Sequence, residues 1–152
     1  MNVQDICHRE VKTLARGDSA LTAARLMRDD HVGCVVVVDM GAAGAVPVGI
    51  VTDRDIVVAV TALDLAPEEV TLGDIMGGEL FTIKAGDELA DALEVMRARG
   101  VRRLPVVDGA GVLAGIVAAD DALAVLADEV SSLAYLVSRE QRREREQRRV
   151  RV

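Results

Sequence analysis

Two pseudo-twofold-related βαββα repeats, packed sheet to sheet in an α/β (α+β) fold and followed by an extended C-terminal helix, are what the 152-residue sequence predicts. Three observations carry this: an internal duplication, paired apolar runs of strand length, and a core composition almost without aromatic side chains. Asp5-Ile6 is answered by Asp74-Ile75, Gly17-Asp18 by Gly86-Asp87, Met27-Arg28 by Met96-Arg97 and Asp39 by Asp108, each pair 69 residues apart. After Asp39 the spacing falls to 66, because Gly49-Ile50-Val51 matches Gly115-Ile116-Val117. The three extra residues fall in the Gly-rich loop Met40-Gly41-Ala42-Ala43-Gly44, and a surface turn is where a repeat tolerates insertion. Hydrophobic residues make up 51% of the chain and aromatics 1%, so the core must be built from Val, Leu, Ile and Ala.

Within each repeat the patterns give a fixed order after a short lead-in strand. Asp18 is expected to cap a helix with Leu21, Ala24 and Met27 at helical spacing, and Asp87 a helix with Leu89, Leu93 and Met96. The continuous apolar runs 34–38 and 48–51, matched by 104–107 and 112–117, read as buried strands joined by a turn. A second helix follows from about Asp53 to Leu63, and again from about Ala119, extending past Ala127 through Tyr135 and Leu136 before turning polar. The segment 65–69 reads as the linker, with Pro67 opening a short helical turn. Halves of roughly sixty residues bury too little surface to stand alone, so the sheets should pack together and leave a cleft between repeats. The domain division is then 1–66 for the first repeat, 67–127 for the second, and 128–152 for the C-terminal helix and Arg/Glu-rich tail.

A net charge of −7 and a pI near 4.8 speak against a general nucleic-acid surface, which needs clustered positive charge. The tail is a separate electrostatic object. Arg139, Arg142, Arg143, Arg145, Arg148, Arg149 and Arg151 stand against Glu140, Glu144 and Glu146, a local +4 that leaves −11 for the rest. No aromatic is interleaved there for base stacking, so nucleic acid ranks last among its partners, behind an acidic protein or a second subunit. No apolar run approaches the roughly 18 residues of a membrane span, and the start Met1-Asn2-Val3-Gln4-Asp5 lacks a signal pattern, so a cytoplasmic protein is expected. Cys7 and Cys34 are no disulfide framework and are expected to be reduced, buried thiols. With His8 and His31 they make four residues of zinc-ligand type, yet no CxxC or HExxH spacing exists and adjacent extended residues point to opposite faces, so no metal site is expected. Carboxylates such as Asp53-Asp55 and Asp120-Asp121 sit at helix starts, where caps and dipole partners are the rule. There is no Ser-His-Asp candidate and no Gly-rich phosphate loop, so no enzyme is expected.

The segments Gly49-Ile50-Val51-Thr52-Asp53-Arg54-Asp55 and Gly100-Val101-Arg102-Arg103-Leu104-Pro105-Val106-Val107-Asp108, in register within the duplication, resemble a tandem CBS pair, the Bateman module, of stand-alone bacterial type, from about Val3 to Leu126. The resemblance implies that AMP, ADP, ATP or a related adenosyl compound binds as a regulatory ligand in the clefts between repeats. It also implies a disc-like homodimer that signals its shape to an effector protein not named by the sequence. Physically, a carboxylate at a helix start suits ribose hydroxyls, which fits Asp55. The hydroxyl of Thr52 and the backbone N–H groups beside it suit a phosphate, as do the forked donors of Arg54, Arg102 and Arg103. Carried over from the family, Asp55 shares its site with Thr82, Ile83, Val101, Arg102 and Arg103, and with Pro105 of the same strand. A second, weaker site falls on Thr13, Val32, Gly33 and Asp121. There Ala118 stands for Thr52, Asp120 for Arg54, and Gly33 and Cys34 for Arg102 and Arg103. One lost hydroxyl bond costs about 0.5–1.5 kcal/mol, and an Asp in place of an Arg costs an anion more. One anionic-nucleotide site and one poor or uncharged-ligand site are therefore expected, with the base held between aliphatic side chains.

Two plainer readings compete. Thr52 to Asp55 fits a helix-capping box, and Arg102 and Arg103 fit a charged strand edge that discourages pairing. Together they describe a ligand-free dimerisation or scaffolding module.

Overall fold

A computed structural model describes residues 1–149, so Arg151 of the tail lies outside the described residues. After a 3-10 turn at Val3–Asp5, the elements are β1 (Thr13–Leu14), α1 (Ala20–Asp30), β2 (Cys34–Met40), β3 (Ala45–Thr52) and α2 (Asp53–Ala59), which ends in a second 3-10 turn, Thr61–Leu63. Then come α3 (Leu72–Ile75), β4 (Ile83–Lys84), α4 (Leu89–Arg99), β5 (Arg103–Val107), β6 (Leu113–Ala118) and α5 (Ala119–Arg149). The strands form two sheets of order β1-β2-β3 and β4-β5-β6, and β3 meets β6 where the sheets touch. In each sheet the short lead-in strand runs parallel to the central strand and the hairpin is antiparallel. Even the register irregularity is duplicated, between Val37 and Val38 and again between Val106 and Val107. The expected order of elements thus stands, twice over.

The halves are tied by exchange of their leading segments. Leu72 is fully buried in the core built by Ala20, Ala23, Met27, Val35, Val37, Val51, Ile56 and Val60 of the first half. Its N–H donates to the Asp18 carbonyl at 2.8 Å and that of Gly73 to Arg16 at 2.9 Å. Sixty-nine residues earlier, the N–H of the fully buried Val3 donates to the Asp87 carbonyl at 2.9 Å and that of Gln4 to Ala85 at 3.0 Å. The same segments satisfy helix starts, whose first N–H groups have no partner inside the helix. Ala20 of α1 donates to the Val70 carbonyl (2.8 Å), and Leu89 of α4 to that of Met1 (3.1 Å). The linker joins in through Pro67, whose carbonyl accepts from Leu21 at 3.0 Å within a turn over 67–69.

Helix starts differ from expectation by one residue. Ser19, not Asp18, caps α1, its hydroxyl accepting from the Thr22 N–H at 3.1 Å. Glu88, not Asp87, is the N-cap of α4, and Asp91 closes the box on the Glu88 N–H. Asp18 and Asp87 are engaged one turn earlier, accepting from Ala15 (2.7 Å) and Lys84 (3.1 Å), so the chain is still turning where a helix was expected. The buried stripes shift with them, to Ala20, Ala23 and Met27 and to Leu89, Ala92 and Met96. The second helix of the first half is also shorter, because α2 stops at Ala59.

Residues Met1–Ala118 form one compact unit and α5 belongs to a second. Taken by itself, α5 is a single 31-residue helix that runs beyond Leu136 through the Arg/Glu segment. No helix among the described residues is long and apolar enough to cross a membrane.

Two outcomes follow for stability. Leu72→Ala removes the largest exchanged side chain and should cost about 2–5 kcal/mol, read as a lower urea midpoint in equilibrium unfolding. The residue ending α1 is His31, left-handed at φ 54°, where the matching position of α4 holds Gly100 at φ 66°. A side chain there costs about 1 kcal/mol, so His31→Gly should raise the thermal midpoint by about 4 °C and Gly100→His should lower it similarly.

Candidate functional site

An open cleft of about 620 Å³ gathers the end of β3 and start of α2 from the first half, and the approaches to β4 and β5 from the second. Thr52, Arg54, Asp55, Val101, Arg102 and Arg103 all line it, together with Ile50, Asp53, Glu79, Leu80 and Phe81. Three arginines therefore face three carboxylates, Asp53, Asp55 and Glu79. The cleft is a charge-balanced surface rather than a simple anion hole, suited to a ligand that carries both an anionic group and hydroxyl donors.

Local bonding decides which groups are available. The capping box of α2 is formed: Thr52 N–H and Oγ1–H both donate to Asp55 Oδ2 (2.7 and 2.8 Å), and the Asp55 N–H donates to Thr52 Oγ1 (3.2 Å). Asp55 Oδ1 accepts no bond from the described residues. The Arg54 N–H donates to Asp53 Oδ1 (2.8 Å) and the Asp53 N–H to the Gly33 carbonyl (3.1 Å). Every backbone N–H from Thr52 to Asp55 is thus engaged within the protein, and the expected phosphate cradle of N–H groups beside Thr52 is not there. The guanidinium groups of Arg54, Arg102 and Arg103 are the cationic groups that line this cleft.

Of the other residues carried over to this site, Thr82 is exposed, Ile83 and Pro105 are buried in the second sheet, and none of the three lines the cleft. Pro105 fits inside a central strand because Ile116, opposite it, exchanges both backbone bonds with His8 at 2.9 Å and asks none of Pro105. Phe81 corrects the expectation that a base would meet aliphatic side chains alone. The chain's single phenylalanine is in the cleft wall, with the Arg99 guanidinium 4.7 Å from its ring centroid. One aromatic residue carries no periodicity, so only its place just before a lead-in strand hinted at this position.

A second cleft of about 590 Å³ is the symmetry mate of the first. Glu10, Val11, Lys12, Val32 and Cys34 stand in it where Glu79, Leu80, Phe81, Val101 and Arg103 stand in the other, and Ile116 answers Ile50. Of the residues named for a second site, Val32 lines this cleft. Thr13 is exposed in β1 and Gly33 is half-buried, and neither lines this cleft; Asp121 belongs to α5. What sequence reading missed is its basic content. Arg9 and Lys12 line it, and the Lys12 ammonium is 3.3 Å from Asp30 Oδ2.

Arg103 bears on both sides. A Cβ built on Gly33 would lie 3.6 Å from Arg103 Nη2 and 3.6 Å from Asp53 Oδ2, so glycine leaves room for these two groups. The thiol of Cys34, half-buried rather than buried, is pushed up by desolvation; the Arg103 charge opposes the rise and Asp53 adds to it. Such a thiol is protonated at neutral pH and is a poor nucleophile. Close approach also fixes Gly49 and Gly115. A Cβ at Gly115 would meet Cys7 Sγ and the His8 carbonyl at 2.9 Å, and one at Gly49 would meet Met76 Sδ at 2.6 Å. Among the described residues no cluster of three or more His, Cys, Asp or Glu could hold a metal ion.

Comparison with known proteins places this geometry. The family model of the CBS domain matches twice, over residues 3–62 and 72–128. An uncharacterized protein of Methanopyrus kandleri is 36% identical over 125 residues, 82% of this chain and 62% of that protein, so this chain spans about three-fifths of that relative. The CBS domain-containing protein YhcV of Bacillus subtilis is 34% identical over 120 residues, 79% of this chain and 81% of that one. The solved CBS domain pair of protein MJ0100, in complex with 5′-methylthioadenosine and S-adenosyl-L-methionine, superposes with a TM-score of 0.72 at 25% identity, covering 83% of this chain and 99% of that one. A duplicated βαββα frame with both repeats matched is sufficient: the chain belongs to the CBS-domain family, as a CBS pair.

Proposed function

We propose that the protein is a regulatory sensor that binds an adenine nucleotide, AMP, ADP or ATP, in the first cleft and reports it to a partner protein by a change in packing, with no chemistry of its own. The observation that carries this reading is the convergence, on one cleft, of Asp55 and Arg54 from one half with Arg102, Arg103 and Phe81 from the other. Asp55 Oδ1 takes a ribose hydroxyl, the arginines take phosphate in the bidentate manner for which guanidinium is shaped, and the edge of Phe81 with Ile50 and Val101 receives the base. A ligand of this kind bridges the halves, so it stabilises one arrangement of them over others, and only such differential binding shifts a conformational equilibrium. The complex of the MJ0100 CBS pair with two adenosyl compounds supports adenosine as the shared element. The second cleft, with Cys34 for Arg103 and Lys12 tied to Asp30, is the weaker site for an anionic nucleotide. We place the protein in the cytoplasm, where such nucleotides are abundant.

Calorimetric titration with AMP, ADP, ATP, NAD and S-adenosylmethionine tests the proposal. Micromolar binding, about −8 kcal/mol, is expected for at least one adenine nucleotide. Arg103→Ala should weaken it about 10- to 100-fold, the worth of a charge-assisted hydrogen bond. Asp55→Ala should weaken binding and also lower the thermal midpoint, since it breaks the α2 capping box by leaving the Thr52 N–H without its carboxylate. No heat with any of the five ligands, or unchanged affinity in Arg103→Ala, would overturn the assignment.

A further inference from the structure

The nucleotide reading makes no use of α5, which carries an apolar seam of its own. Leu123, Leu126, Val130, Leu133 and Val137 follow one another at alternating steps of three and four, the a/d spacing of a two-stranded coil. They are 50–66% exposed. The seam spans about 22 Å of helix, and a contiguous apolar strip of that length on a helix marks a contact surface. It ends abruptly, because the next two positions in the pattern are Glu140 and Glu144. Charge changes at the same boundary. From Ala119 to Ser138 every charged residue is acidic (Asp120, Asp121, Asp128 and Glu129), whereas from Arg139 to Arg149 six arginines outnumber three glutamates.

We propose that α5 pairs antiparallel with α5 of a second copy of this chain. A parallel pair would lay the arginine segment along its own copy, bring Glu140 and Glu144 against themselves, and set two helix dipoles side by side in the same direction. Reversing one helix sets Ala119 level with Val137, Leu123 with Leu133 and Leu126 with Val130, and the twofold axis repeats each layer. Arg139 then falls three residues, about 4.5 Å, beyond the level of Asp120 in the other copy. The acidic end of each helix is thereby neighbour to the basic end of the other. This pairing stands independently of nucleotide binding.

Sedimentation velocity of the full chain from about 1 to 200 μM tests it. A concentration-dependent dimer is expected, and Leu126→Glu/Leu133→Glu should weaken dimerisation at least 100-fold while leaving the thermal midpoint of the remaining fold in place. Orientation is read in a Cys7→Ala/Cys34→Ala background by mixing Leu126→Cys with Val130→Cys chains under oxidation. The antiparallel pair predicts that the mixed disulfide forms at least tenfold faster than either homodimer disulfide. A wild-type monomer throughout the range, a dimer indifferent to the two glutamates, or faster homodimer disulfides would each overturn the proposal.

Discussion

The exchange of leading segments is the constraint from which the rest of the CBS unit follows. Each half supplies a short stretch that fills the other half's core and takes the first N–H of its first helix: Val70 to Leu72 for α1, Met1 to Val3 for α4. Helix-start donors are costly to leave unpaired when buried, so neither α1 nor α4 is complete without the opposite segment. The same stretches then run on, through Met76 to Phe81 and through Cys7 to Lys12, and become one wall of each cleft. Glycine at 49 and 115 is what lets them lie so close to β3 and β6.

A symmetric frame therefore holds two clefts whose chemistry is not symmetric. The difference lies in a few substitutions between equivalent positions: Arg103 against Cys34, Phe81 against Lys12, and Arg102 against Gly33. Arg103 is the pivotal one, since its guanidinium presents to the first cleft and its charge still acts on Cys34 beside the second. With the N–H groups at the start of α2 engaged, the charge of the first cleft is set by its arginines against Asp53, Asp55 and Glu79.

Much of this was legible in the sequence, for a physical reason. Duplication shows as self-similarity, and buried strands show as apolar runs, so the order βαββα could be read twice and each reading checked the other. The repeat itself asks for a cleft between halves, but that Thr52, Arg54 and Asp55 meet Val101, Arg102 and Arg103 there was implied by the resemblance to a CBS pair and not by the duplication alone. The exchange was not, since a three-residue segment such as 70–72 has no period to betray which core it enters. Cap positions slipped by one because Asp18 and Asp87 have an equally good local use in the preceding turn. The occupied N–H groups of α2 were likewise invisible: a Thr-to-Asp spacing of three fits a capping box and a ligand site equally well.

The unequal clefts are tested most directly by methyl NMR of isoleucine-labelled protein titrated with ATP. Ile50 reports on the first cleft and Ile116 on its symmetry mate, so one experiment compares both without any substitution. Saturation of the Ile50 shift at ligand concentrations that leave Ile116 in place is the predicted result. Equal movement of both methyls, or movement of Ile116 first, would contradict the account.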